Sequence, residues 1–433
     1  MARMGMKSRR ISSAGLFASV AVAALLAGCG SSSSISSSGN GSSIGAANAA
    51  STSGGSSSTP SGGGAPATAQ NIVNLAETKL LYGPTTGAAT ASQLHAPTPA
   101  DIHVMPYKPP PGKSVVFVSC SPTSAQCTHG AEIGVAFLAK LGVHASVVQS
   151  NYTPAGNQRA MSTAIAQRPD AIVTIAIAPS TVGPQLATAK AQGIPVVDGE
   201  GTAATDGGNL SAYVPQGSSL YQMAGAAQLI ALTKAKGSVV WLSAPEFPEL
   251  EVDAGTSFFK STCPQCTLIP GTETAAQVTN PVTMGQLISA NTNAHPGLDF
   301  IMLASACAGL QAGAEALQSS GGSTKLAAPG CGAAAITAMN AGQLPFATGE
   351  VEPWGALAAI DQVFRLWAKK PPLPASDTGP AAYLVTPANT PEKSATTISY
   401  GNLDRWELGL FNYLAPYEKA WGVSLHSVIQ NES

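Results

Sequence analysis

From Lys113 onward the chain alternates short β-branched runs with helical stretches, and this alternation limits the possible folds more than any other feature. Val115 to Val118 is a compact apolar run, as expected of a buried strand. Residues 129–141 then place Ile133, Ala136, Phe137 and Leu141 on one helical face, with Gly142 as a stop. The pattern predicts strands at 145–149, 171–177 and 194–197, and helices at 157–167 and 183–192. After an irregular stretch at 209–216 a second series begins. Its helices are expected at 219–235, 252–261, 281–291, 308–318 and 333–340. Its strands are expected at 238–242, 267–269, 299–303 and 325–328. Strands that alternate with helices require right-handed crossovers and a parallel sheet covered on both faces. The sequence therefore reads as α/β, with two similar lobes of mostly parallel sheet. Ligands of such sheets sit beyond the carboxyl ends of the strands, and two facing sheets make a cleft there.

The amino terminus is of a different kind. Arg3, Lys7, Arg9 and Arg10 precede an apolar run from Ala14 to Leu26 that only Ser19 interrupts. The run is short for a bilayer span and has the layout of a secretory signal peptide. It ends Leu26-Ala27-Gly28-Cys29, which resembles the lipobox of bacterial lipoproteins and implies lipidation of Cys29 and attachment to a membrane. Residues 1–28 are thus expected to be a signal peptide. Residues 29–112 read as a disordered tether, rich in Ser and Gly, with a helix at 71–82 and a proline-rich lead-in at 97–112. Beyond the first 28 residues 17 basic side chains face 23 acidic ones, a net charge of −6. Charged residues are only 10% of the chain, and no basic stripe appears, which excludes a nucleic-acid footprint.

Cys120, Cys127, Cys263, Cys266, Cys307 and Cys331 remain, an even number that favours disulfides in an exported chain. Proximity suggests the pairs Cys120–Cys127, Cys263–Cys266 and Cys307–Cys331. Cys263-Pro264-Gln265-Cys266 has redox spacing but ends a helix rather than starting one, which suits a structural clip. Cys120, Cys127 and His129 lack a fourth ligand for zinc, so no metal is expected. Ser257-Phe258-Phe259-Lys260 matches an SxxK motif without its companion motifs, and its two phenylalanines read as core. No cofactor motif or nucleophile–base pair can be assembled, so no enzyme activity is expected.

Four stretches carry a family resemblance: Ile165 to Ile172, Ala189 to Val197, Gly237 to Ser243, and Ile336 to Leu344. In order and spacing they resemble the type I periplasmic binding proteins, in the ribose-binding-like branch, over residues 113–374. The resemblance implies two Rossmann-like lobes joined by a multi-strand hinge that close on a small molecule. It also implies an ABC transporter permease as partner, an extracytoplasmic location and a monomer. Lobe 1 would comprise 113–214 and 353–380, and lobe 2 215–352 and 381–400. A carboxy-terminal extension at 401–433, carrying Trp406, Leu410, Tyr413, Leu414 and Trp421 at near-helical spacing, is expected to pack on a lobe. A lipoprotein that signals to a membrane receptor would share the same fold.

The chain departs from the sugar-binding pattern at three strand ends. It has Cys307-Ala308 in place of Asn-Asp, Ala328-Pro329-Gly330 in place of Gly-Phe-Asp, and Glu200-Gly201 in place of Asp-Arg. These changes remove much of the usual grip on sugar hydroxyls and argue against a simple hexose or pentose. Candidate ligand contacts come from strand ends and crossovers: Ser119, Ser121, Gln149, Asn151, Ser180, Glu200, Gln216, Glu246, Phe247, Glu352 and Trp354. For each polar residue the alternative is a helix cap or a solvated loop. For Trp354 it is packing against the hinge. Trp241 is expected in the core.

Overall fold

The computed structural model describes residues 65–431, apart from 86–88, 202–207, 246–251, 275, 278–279, 305–308 and 396. The signal-peptide and lipidation expectations, Cys29 included, lie outside the described residues. Among those described, no helix is long and apolar enough to cross a membrane.

Three sheets organise the chain. The first contains β1 (Ser114–Ser119), β2 (His144–Gln149), β3 (Ala171–Ile175), β4 (Val196–Gly201) and β5 (Ala212–Pro215), in the order β2-β1-β3-β4-β5, with every pairing parallel. The second contains β6 (Ser238–Ser243), β7 (Thr267–Thr272), β8 (Phe300–Met302) and β9 (Lys325–Ala327), in the order β7-β6-β8-β9, again parallel. The third is an antiparallel pair, β10 (Ala347–Glu350) with β11 (Ala382–Val385). The α/β class and the mostly parallel sheets expected from the alternation are what the chain adopts.

Burial explains the strand composition. The interior strands β3 and β4 are buried at every position, and β1 at every position but its first, so helices cover both faces. The edge strand β2 alternates exposed and half-buried positions. Close packing sets the helix sequence as well. Gly134, in the helix Ala125–Lys140, faces the fully buried ring of Phe117, and a Cβ there would lie 2.5 Å from the ring. Gly134→Ala is therefore expected to cost about 1–3 kcal/mol through overpacking, despite the better helix propensity of Ala. A urea midpoint equal to or above wild type would refute this.

Three strands were not legible. β5 lies in the stretch read as irregular, and β10 and β11 have only four residues each. Against β5, β4 carries one extra residue: Asp198 pairs with Tyr213 and Gly201 with Pro215. That is a β-bulge, and Glu200 sits in it. Gly199 is required beside it, because a Cβ would meet the Thr174 carbonyl oxygen at 3.1 Å and Val173 at 3.0 Å.

The tether reading needs correction from Ala65 onward. The helix Ala65–Thr78 packs against the helix Ser218–Leu232 and buries Ala69, Ile72, Val73 and Ala76. These four lie at i, i+3, i+4 and i+7, a stripe that has a use only when docked on a second surface. Leu81 then exchanges backbone hydrogen bonds of 2.7 and 2.9 Å with Ala382, adding the lead-in to β11. The extension is two principal helices rather than one, Tyr400–Leu410 and Leu414–Trp421, with Phe411 in extended conformation between them. The indole N–H of Trp421 donates to the Met105 carbonyl at 3.2 Å, so the two ends of the folded chain meet.

Two of the expected disulfides are present, Cys120–Cys127 and Cys263–Cys266, with Cα separations of 5.7 and 5.3 Å. The first pins the end of β1 to the following helix, and the second clips the turn before β7. Cys331 is also disulfide-bonded, and its expected partner Cys307 lies outside the described residues.

Candidate ligand site

Buried carboxylates gather where the carboxyl end of β4, the end of β10 and the start of the helix Glu352–Trp367 converge. Glu200 comes from the bulge, Glu350 ends β10, and Glu352 opens the helix. One oxygen from each lies within 4.8 Å of the others, and all three side chains are buried. Backbone groups hold the arrangement. The Gly217 N–H donates to Glu350 Oε2, and Gln126 Nε2 donates to Glu350 Oε1 at 3.3 Å. Gln216 also hydrogen-bonds Glu350. Gly130 leaves room on the helix Ala125–Lys140, since a Cβ there would lie 3.0 Å from Glu200 Oε1 and 3.5 Å from Glu352 Oε2.

The extension brings in a second set of side chains. Asp404 and Glu407, on the helix Tyr400–Leu410, are fully buried or nearly so. His129 Nε2 lies 3.1 and 3.2 Å from the two carboxylate oxygens of Asp404. The Tyr400 ring stacks on His129 with centroids 4.3 Å apart. Its hydroxyl also approaches Gly332, at the start of the helix Gly332–Asn340 that follows β9, where a Cβ would lie 2.8 Å away. Tyr400 thus touches the helix after β1 of the first sheet and the helix after β9 of the second. Trp406 meets Tyr383 of β11 edge-on, with centroids 5.8 Å apart.

Burial dominates the electrostatics. It pushes the Glu352 carboxyl up to about 7, against hydrogen bonds from Glu200 and Gln126 and the charge of His129, which pull it down. Glu200 is raised well above the usual range by burial, then by the charges of Glu352 and Glu350. Its side chain shares a hydrogen bond with that of Glu352. Glu350 is raised by burial and by Glu352, opposed by the Gly217 N–H and Gln216. Glu407 is raised by burial and then by Asp404. The hydroxyls of Tyr383 and Tyr400 are raised by burial and by the surrounding carboxylates.

Of the candidate contacts, Glu200, Gln216 and Glu352 come together. Others have local duties instead. Ser119 Oγ donates to the Cys127 carbonyl at 3.0 Å, and Ser121 shares a hydrogen bond with Thr123 and accepts from its N–H. Asn151 Oδ1 accepts from Thr153 Oγ1 at 2.7 Å, next to a helix cap. Gln149 and Ser180 are exposed, at the end of edge strand β2 and in a 3-10 turn. Trp354 belongs to an aromatic stack. It is buried between Tyr82 and Tyr413, nearly parallel to both at 5.4 and 6.1 Å, with Phe411 at 5.6 Å. Its flat ring joins the lead-in to the extension, which suits an apolar stack better than a ligand contact. Glu246 and Phe247 lie outside the described residues. Glu350, His129, Tyr400, Asp404 and Glu407 were missed. The signal for Glu350 was present, as two acids one residue apart in a chain so poor in charge. Tyr400, Asp404 and Glu407 offered none, because only the tertiary fold carries the extension to this point, and His129 drew attention only as a zinc ligand.

Comparison with curated proteins finds no match. Several solved structures share the fold. An ABC sugar transporter subunit from Rhodobacter sphaeroides 2.4.1 aligns at TM-score 0.54 and 16% identity, covering 64% of this chain and 98% of its own. A solute-binding protein of an ABC transporter from Clostridium phytofermentas, with bound L-rhamnose, aligns at TM-score 0.53 and 18% identity over 64% and 97%. A carbohydrate transporter protein from Acidothermus cellulolyticus 11B, in complex with myo-inositol, aligns at TM-score 0.52 and 17% identity over 65% and 96%. Asp404, Glu407 and the lead-in helix fall outside the span that matches the family described as periplasmic binding protein domain, which is residues 130–371. That span is more than half of the chain, holds β2 to β10, Glu200, Glu350 and Glu352, and makes the protein a member of the periplasmic binding protein family.

Proposed function

We propose that the protein is the extracytoplasmic substrate-binding lipoprotein of an ABC importer, anchored through Cys29 and capturing a small polar solute between its lobes. One observation carries the reading. A buried polar cluster lies where the carboxyl end of the first parallel sheet meets strand β10, the position at which open α/β sheets bind ligands. Charged groups are costly to bury, and a fold that needed only stability would place apolar side chains there. Tyr400, touching both lobes, is placed to respond to closure, which a ligand favours only through contacts made in the closed state. The fold neighbours that hold L-rhamnose and myo-inositol support a polyol-sized solute. The acidic cluster distinguishes the grip from one built for hydroxyls alone.

A thermal-shift screen over sugars, polyols, amino acids and small amines tests the reading, because a ligand of the native state stabilises by mass action. At least one solute is expected to raise the midpoint in wild type, with a weaker effect in Gln216→Ala. If no solute shifts the midpoint, or if the shift is unchanged in Gln216→Ala, the cleft is not the capture site.

A further inference from the structure

The carboxylate cluster has donors left over. Gln216 is 5% exposed and its Oε1 has no hydrogen-bond partner, while the same side chain hydrogen-bonds Glu350. Both carboxylate oxygens of Glu407, 1% exposed, also lack a partner. The charges acting most strongly on Glu407 are those of Asp404, Glu352 and Glu350. The charges acting most strongly on Glu200, Glu350 and Glu352 are one another's and those of Asp198, Asp404 and His129. No Lys or Arg is among them, and His129 is already against Asp404. Carboxyls in such surroundings either keep their protons or take a positive partner.

The donor set defines that partner. Among the described residues the unpartnered atoms named above are oxygens, from carboxylates and one amide carbonyl, and three carboxylate oxygens already lie within 4.8 Å of one another. Hard cations take such sets, whereas zinc favours sulfur and imidazole nitrogen. Magnesium keeps several waters and strict octahedral geometry, while calcium accepts six to eight protein oxygens in a flexible cage. We propose that Glu200, Glu350, Glu352 and the carbonyl oxygen of Gln216 form a seat for one calcium-class divalent cation, with Glu407 of the extension supplying further negative charge. The ion ties the bulge of β4 to hinge strand β10 and holds the helix Tyr400–Leu410 against both. This replaces the sequence-based expectation of no metal, and it stands apart from the identity of any solute.

The test uses the full chain in mild detergent, stripped with EDTA and titrated with calcium chloride by calorimetry and thermal unfolding. One equivalent is expected to bind with Kd of about 1 mM or tighter, the range of extracellular calcium modules, and to raise the unfolding midpoint. Glu200→Gln and Glu352→Gln are expected to weaken binding at least about tenfold, while exposed Glu315→Gln leaves it unchanged. These near-isosteric variants remove buried charge, so their ion-free midpoints should match or exceed wild type, which separates lost binding from lost folding. Absence of saturable calcium binding, or equal binding in Glu352→Gln, overturns the proposal. So does a Glu352-dependent shift produced by putrescine and not by calcium. A solute that binds in EDTA while calcium does nothing sinks the ion seat and leaves the capture reading intact. Calcium binding without any solute does the reverse.

Discussion

In EDTA-containing buffer, urea unfolding is expected to show stability falling as pH rises from about 5 to 8. Glu352 is held at about 7 in the fold against an ordinary 4.5. A carboxyl raised on folding contributes stability that is fully present below its unfolded value and is lost as pH rises through its folded value. At about 1.4 kcal/mol per pKa unit, Glu352 alone accounts for roughly 3 kcal/mol over that window. Glu200, Glu350 and Glu407 are raised by the same burial, so their contributions have the same sign. Asp170 works the other way at lower pH. Burial raises it, but hydrogen bonds from Lys113 and Ser114 outweigh that and hold it below the usual range. It is partly exposed, so its effect is smaller and confined to the acid side. The stability maximum should therefore lie near pH 5, and Glu352→Gln should flatten part of the slope. A profile that is level or rising between pH 5 and 8 would show that the cluster is ionised and compensated in the native state.

Trp354→Ala is expected to cost about 3–5 kcal/mol, the range for deleting a large buried ring. The indole is 2% exposed and stacks on Tyr82 from the lead-in and on Tyr413 from the extension. Each aromatic contact adds about 0.5–1.5 kcal/mol beyond the area buried. The loss should fall on both terminal segments together, so limited proteolysis should cut near residues 80–105 and 395–415 sooner than in wild type. Solute affinity measured at low temperature, where the variant is still folded, should change little. A urea midpoint within about 1 kcal/mol of wild type would mean that the stack does not anchor these segments.

The legible part of the fold followed from periodicity. β1 and the helix after it could be read because Val115 to Val118 is continuously apolar and Phe137 lies one turn from Ile133. The helix Ser218–Leu232 was legible for the same reason. β10 and β11 were not, because Ala347-Thr348-Gly349-Glu350 has no pattern of its own and becomes a strand only by pairing with residues 382–385. In the site, Glu200 and Glu352 were placed by resemblance and by their position at element ends. Trp354 stayed open between a ligand contact and packing, because a ring stacked on a ligand and one stacked in the interior look identical in sequence. Tyr82, which decides between them, is 272 positions away.

By itself the sequence determined the class, two parallel α/β lobes, since strand and helix periods are local properties of a chain. It also determined which cysteines could bridge at short range. Only the tertiary structure decided that Glu350, Asp404 and Glu407 share one buried space with Glu200 and Glu352. It also decided that the two ends of the folded chain meet, through Trp421 with Met105 and through the stack of Tyr82, Trp354 and Tyr413. Those contacts join residues hundreds of positions apart, and their energy depends on burial and on mutual charge, neither of which exists until the chain has folded.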